Sequence, residues 1–151
     1  MSSASEGTIE SVLYAPEKGK PRRKISSIIV RPDWGIQGDA YAGPGDRQLL
    51  LFYSDARQGV DSAEEAGLCY PRFRENLLVA GLDPGSLRPG DRVRIGEAIL
   101  KITGATKKCY PECELPARKC RIRDHVAFCA VERGGKIEQG DSVGLLPANP
   151  R

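Results

Sequence analysis

The chain sets short apolar runs against dense turn chemistry, and the runs have the length and residue types of β-strands. Residues 8–15 (Thr-Ile-Glu-Ser-Val-Leu-Tyr-Ala) are rich in β-branched and aromatic side chains and predict a first strand. Residues 16–23, with Lys18, Gly19, Lys20, Pro21, Arg22 and Arg23, predict a solvated hairpin tip, and residues 25–30 a second strand. Pro32, Gly35, Gly38, Gly43, Pro44 and Gly45 then crowd residues 32–47, a density that predicts a long loop without regular structure. Residues 48–53 (Gln-Leu-Leu-Leu-Phe-Tyr) predict a strand buried on both faces. Residues 54–67 predict the main helix, capped by Ser54, although Gly59 and Val60 break its pattern and would also suit two short turns.

Further strands are predicted from about Asn76 to Ala80, over 91–95 and 98–103 around a Gly96-Glu97 turn, and over 142–146 after Gly140-Asp141. The total is about eight or nine strands with one or two short helices. No alternation of strand, helix and strand appears, so a doubly wound sheet is not expected. The even spacing of strands and turns predicts a mostly β fold, a closed or nearly closed antiparallel barrel. One domain spans residues 8–146, with a flexible N-terminus at 1–7 and a flexible tail at 147–151.

Composition adds constraints to that picture. A chain of 151 residues is long enough for one domain with a real core, which must be aliphatic because aromatics make up only 6%. No apolar run approaches the roughly 20 residues of a membrane-spanning helix, and the first residues lack the basic start and apolar stretch of a secretory signal. Five cysteines is an odd number and four crowd into residues 109–129, which argues against a secreted disulfide framework and for a reducing, cytoplasmic location. The net charge of +3 is too small, and too local, to argue for nucleic-acid binding.

The charge and the cysteines coincide. Cys109, Cys113, Cys120 and Cys129 share residues 105–131 with six cations (Lys107, Lys108, Arg118, Lys119, Arg121, Arg123) and three carboxylates, which leaves the rest of the chain near neutral. Cations lower a thiol pKa from about 8.5 and so favour the thiolate, the form that attacks, carries sulfur or binds metal. Cys109, between Lys107-Lys108 and Tyr110-Pro111, is the reactive candidate, whereas Cys129 in Val-Ala-Phe-Cys-Ala-Val reads as a buried core residue. The spacing C-x3-C-x6-C is neither a zinc-ribbon pair nor a ferredoxin run. Cys109 and Cys113 on one helical face, joined by Cys120, could nevertheless hold a metal or an iron–sulfur cluster, with His125 as a fourth ligand or a plain surface residue. Elsewhere Arg72, Arg74, Glu75 and Asn76 precede an apolar strand, and Arg47 closes the glycine-rich loop, arrangements that suit an anion or equally a salt-bridged strand entrance.

Taken in order, Gly35-Ile-Gln-Gly-Asp39, Ala-Tyr-Ala-Gly43, Arg47-Gln48, Arg74-Glu-Asn-Leu77, Gly81-Leu-Asp83, Leu87-Arg-Pro-Gly-Asp91-Arg-Val-Arg-Ile-Gly96, Lys108-Cys109-Tyr-Pro-Glu-Cys113 and Cys120 resemble the MOSC domain. This is the C-terminal module of molybdenum cofactor sulfurases, and it also stands alone in a short bacterial subgroup. The resemblance runs from about Ile9 to Leu146. It implies a pyruvate-kinase-barrel-like β-barrel that binds the molybdenum cofactor (molybdopterin) or carries sulfur. Cys109 would hold persulfide sulfur or ligate molybdenum, and Arg47, Arg74, Glu75, Asn76, Lys108 and Asp39 would bind the cofactor. The implied partners are a pyridoxal-phosphate-dependent cysteine desulfurase or a protein of molybdenum cofactor biosynthesis or acceptance.

The alternatives are a protein binding zinc or an iron–sulfur cluster through Cys109, Cys113 and Cys120, a partner-dependent reductase of N-hydroxylated compounds, and an interaction module with inert cysteines. Two departures from the family pattern matter: Tyr41 and Tyr110 stand where relatives have histidine. They leave no general base expected beside Cys109, so carriage is easier to defend than independent catalysis.

Overall fold

The computed structural model describes residues 6–63, 73–104, 113–115 and 120–146. Seven strands form a closed ring: β1 (Glu6–Tyr14), β5 (Leu49–Tyr53), β6 (Leu77–Ala80), β7 (Arg92–Ile95), β8 (Ala98–Gly104), β9 (Val126–Arg133) and β11 (Ser142–Leu146). The order around it is β11-β7-β8-β9-β5-β6-β1, and β1 closes back on β11. β2 (Arg23–Ile25) adds to β1, while β3 (Ser27–Arg31), β4 (Gly35–Ile36) and β10 (Gly135–Glu138) form a second, small sheet. The mostly β barrel expected from the strand and turn spacing is therefore present.

It is a mixed barrel, and the expectation of a purely antiparallel one is corrected. β5 and β6 pair in parallel, Leu51 beside Leu77 and Tyr53 beside Val79. A parallel pair needs a crossover. The helix α1 (Ser54–Asp61) follows β5 directly and starts it. Gly59 and Val60 lie within this single helix, and Val60 is buried. Ser54 is its first residue, not its cap. The extended cap residue is Tyr53, and the Ser54 hydroxyl instead donates to the Glu10 carboxylate at 2.7 Å. Glu10 reaches it because the β1–β6 register shifts between Ile9 and Ser11, a bulge that redirects the side chain.

Other boundaries also moved. β1 opens at Glu6, where Glu6 and Gly7 pair with Gly144 and Val143 of β11. The strand expected at 25–30 divides at Ser26. β2 pairs with β1 and β3 with β10, so Ile28 and Val30 turn inward while Ile29 is 43% exposed. The glycine-rich loop contains the two-residue β4, for which Gly35 is required: at φ +110 it lies against Gln48, whose carbonyl oxygen an added Cβ would approach to 3.2 Å.

The period-2 alternation divides the apolar residues into two layers. Leu49, Leu51, Leu77, Val79, Ala127, Cys129 and Val131 point into the barrel and pack with Val93, Leu100, Ile102 and Val143. Their neighbours Phe52, Leu78 and Val126 point outward, where they pack with Ala56 and Val60 of α1, Phe73 and Ile122. The barrel interior is filled with side chains. Chemistry must therefore be sought outside it, under the second layer.

Candidate functional site

Leu115 and Cys120, two described residues of the cysteine-bearing segment, pack on the outer apolar layer of β9, β5 and β6. Gly104, the last residue of β8 before that segment, pairs with Phe128, and Phe128 pairs with Leu50. Asn76 comes next: its N–H donates to the Leu50 carbonyl at 2.9 Å, and its Oδ1 accepts from the Leu50 N–H at 2.9 Å. Gly104, Phe128, Leu50 and Asn76 thus make a row across the sheet. Adjacent strands lie about 4.8 Å apart, so β9 and β6 are about 10 Å from each other along this row.

Two exposed arginines lie near the row. The Arg47 guanidinium lies 4.2 Å from the centre of the Phe128 ring, a cation–π contact that leaves the side chain exposed. The backbone just before it is tied down, because the Thr103 hydroxyl bonds the Asp46 and Phe128 carbonyls. Arg74 is exposed too, with one nitrogen on the Phe73 carbonyl at 2.6 Å. Arg47 thus lies over Phe128 on this face, and Arg74 sits in the stretch that leads into β6.

Glu75, Asn76 and Asp39 have structural engagements. The Glu75 carboxylate, 4% exposed, takes Arg57 at 2.8 Å, and Arg57 also bonds the Phe73 carbonyl and lies over the Phe52 ring. Asn76 is buried and joins β5 to β1 as well, its carbonyl accepting from Leu13 N–H. Asp39, 5% exposed, accepts from the Ala15 and Tyr41 N–H groups and faces Arg22 at 3.9 Å, which fastens the loop to the β1–β2 turn.

The cysteines separate by environment. Cys129 is fully buried, its Sγ 3.6 Å from the Leu49 carbonyl oxygen, and burial pushes its thiol pKa far up. Its reading as a core residue holds. Cys113 and Cys120 are half-buried and reduced, and Cys120 packs with Leu115 against the outer apolar layer. Cys109 and Lys108 lie outside the described residues, as do Lys107 and Arg72. Among the described residues no three His, Cys, Asp or Glu side chains stand where they could share a metal ion.

His125, offered by the sequence as a fourth ligand or a plain surface residue, is paired with Asp83 near the end of β5. Asp83 Oδ2 lies 2.8 Å from His125 Nδ1, and the Tyr53 ring stacks on the imidazole with centroids 5.9 Å apart. The Tyr53 N–H donates to the His125 carbonyl, so the histidine is tied to the end of β5. Partial burial, then the Asp55 and Asp83 carboxylates, raise the Tyr53 pKa above its ordinary value. Gly81-Leu-Asp83 counted as part of a turn region and as a family motif, and 42 residues separate Asp83 from His125, so nothing local pointed to the pair.

An open cavity of about 260 Å³ lies elsewhere, lined by Tyr14, Ile25, Ser27, Ile28, Ile29, Ile36 and Gln37. It offers no charged or thiol group, and none of the predicted site residues lines it.

A closed mixed barrel with a second, small sheet beside it defines the class. The MOSC domain model matches residues 38–144, and the chain belongs to the MOSC domain family, which is linked in general to the molybdenum cofactor. No curated protein sequence matches the chain.

Among solved structures, the YUAD protein from Bacillus subtilis is similar at 20% identity and a TM-score of 0.70, over 93% of this chain and 95% of that one. YiiM from Escherichia coli is similar at 20% identity and a TM-score of 0.64, over 95% and 72%. YiiM from Geobacillus stearothermophilus is similar at 17% identity and a TM-score of 0.64, over 93% and 75%. At these identities the structures establish the shared fold. No helix among the described residues is long and apolar enough to cross a membrane.

Proposed function

We infer that the protein binds the molybdenum cofactor, or carries sulfur for it, on the outer face of β9, β5 and β6, with Cys109 as the reactive thiolate. The observation that supports this reading is the exposed Arg47 guanidinium over Phe128, the pairing partner of the Gly104 residue where β8 leads into the cysteine segment, together with the exposed Arg74 two residues before Asn76. Exposed guanidiniums recognise phosphate bidentately, and thiolate is a soft ligand and a sulfur nucleophile. This donor set fits a pterin bearing a phosphate and a thiol-seeking metal. Arg47 and Arg74 would hold the anion, Lys108 would keep Cys109 ionised, and the cofactor would supply a metal centre for oxygen or sulfur transfer. Glu75, Asn76 and Asp39 would support the site through the fold, since their polar atoms bond Arg57, Leu50, Ala15 and Tyr41. A pyridoxal-phosphate-dependent desulfurase or a cofactor acceptor protein would be the partner, in the cytoplasm.

Purification without air, followed by elemental analysis and intact mass, tests the reading. Molybdenum, or an adduct of about 32 mass units for one added sulfur atom, is expected in the native protein and in Cys129→Ser, and is lost in Cys109→Ser. Equal behaviour of the two variants, or stoichiometric iron or zinc instead, overturns it.

A further inference from the structure

We propose that the outer edge of β2, with the cavity beside it, docks an acidic, extended segment of a partner protein, which adds there as a strand and places an apolar side chain in the cavity. β2 ends the barrel sheet, and among the described residues no strand pairs with its other side. The register says which backbone groups face outward. The Leu13 N–H donates to the Asn76 carbonyl, so Leu13 turns its backbone groups toward β6 and away from β2. Lys24 stands opposite Leu13. Bonded and non-bonded pairs alternate along antiparallel strands. Arg23 and Ile25 therefore bond to β1 through Tyr14 and Val12, and the N–H and C=O of Lys24 point away from the barrel. The free edge is short, because the next outward carbonyl, that of Ser26, accepts from the Gln139 N–H.

Side chains set the chemistry of the incoming strand. Ile25 shares a face with Tyr14, and both line the open cavity of about 260 Å³ together with Ile28, Ile29 and Ile36. That volume is below the roughly 300–1,000 Å³ of pockets that enclose a whole ligand, and it suits a side chain. Around it Lys18, Lys20, Arg23, Lys24 and Arg31 are exposed, and Glu17 is the one carboxylate in residues 17–31. Cations on a free edge repel a second copy of the same edge, which leaves an oppositely charged strand as the one that fits. Protection of the edge alone does not account for Ile25 and Ile29, 37% and 43% exposed beside the cavity. An antiparallel segment with the order apolar, acidic, acidic meets all of these features. Its apolar residue lies opposite Ile25 and faces the cavity. The next residue exchanges both backbone bonds with Lys24 and sets its carboxylate beside the ammonium, and the third lies opposite Arg23. Lys24 also ends the cross-sheet row of Leu13, Asn76, Leu50 and Phe128, so the docked partner joins the sheet that carries the candidate face. The proposal goes beyond the cofactor reading and does not depend on it.

The test is a magnetic-resonance titration of the full chain, labelled with nitrogen-15, with the acetylated peptide Ser-Gly-Leu-Asp-Glu-Gly-Ser up to millimolar concentration. Amide shifts are expected at residues 23–29 and 36–37. Hydrogen exchange at the Lys24 N–H slows on binding, while the Arg23 and Ile25 N–H groups, already bonded to β1, change little. Added salt weakens the interaction. Serine in place of the peptide's leucine, or Lys24→Glu in the protein, weakens it about tenfold, as for a lost apolar anchor or a like charge set opposite. Lys24 is exposed, so an unchanged spectrum away from β2 reports that the variant is folded.

No shift at these amides, a Lys24 N–H that exchanges as fast with peptide as without, or equal binding of a peptide with lysine in place of both acids overturns the proposal. So does a short oligonucleotide or an anionic lipid vesicle that moves these amides where the peptide does not. The titration uses neither cysteine nor cofactor, so its failure leaves the preceding reading standing.

Discussion

The Asn76 side chain stands in for a strand: its Oδ1 accepts from the Leu50 N–H at 2.9 Å while its own N–H donates to the Leu50 carbonyl. β5 and β6 run in parallel from this point, and Leu50 sits on the candidate face between Phe128 and Asn76. The Asn76 side chain thereby fastens the parallel pair that underlies the candidate face.

Asn76→Ala leaves the N–H of Leu50 without its acceptor in a buried row. The expected loss is about 1–3 kcal/mol of stability, read by urea denaturation. Asn76→Asp retains an acceptor oxygen and should lose less. Equal losses in the two variants would mean that the Leu50 bond is not what Asn76 contributes.

Arg57 and Glu75 form a pair 2.8 Å apart with side chains 12% and 4% exposed. Removing one member strands the other in an apolar setting beside Phe52 and Phe73. Arg57→Ala should cost about 3–5 kcal/mol, and the double variant Arg57→Met with Glu75→Leu should recover much of that. Chemical denaturation of the single and double variants measures the coupling. No recovery in the double variant would show that Arg57 acts through its bond to the Phe73 carbonyl and not through Glu75.

Tyr53 gives a pH signature. Its raised pKa means that the folded protein keeps the phenolic proton to higher pH than the unfolded chain does. The associated stability is complete below the unfolded value of about 10 and disappears as pH rises through the folded one. Ultraviolet titration of wild type against Tyr53→Phe should isolate a phenol that ionises late, and Asp55→Asn should bring it back toward the ordinary value. An ordinary titration in the wild type would contradict the contact with Asp55.

Several features could be read before any fold was known. The turn density and strand-length apolar runs announced a β-barrel, and Cys129 inside its apolar run announced a core thiol. The ordered motifs from Gly35 to Cys120 announced the family, because each records a local requirement, such as the left-handed Gly35 lying against Gln48. Ser54 shows the limit of local reading. Its type suits a helix cap, but the bulge at Glu10 on another strand takes its hydroxyl.

The sequence by itself determined most of the strands, though not β4, β9 or β10, and where the thiols and cations cluster along the chain. Those properties depend on side chains two to four positions apart. Only the tertiary structure decided that β5 pairs in parallel with β6, that the chain turns from one sheet to the other at Ser26, and that Asp83 meets His125. Each of these depends on strands and turns far apart in sequence packing around one aliphatic core, and the free energy of that packing overrides any local preference.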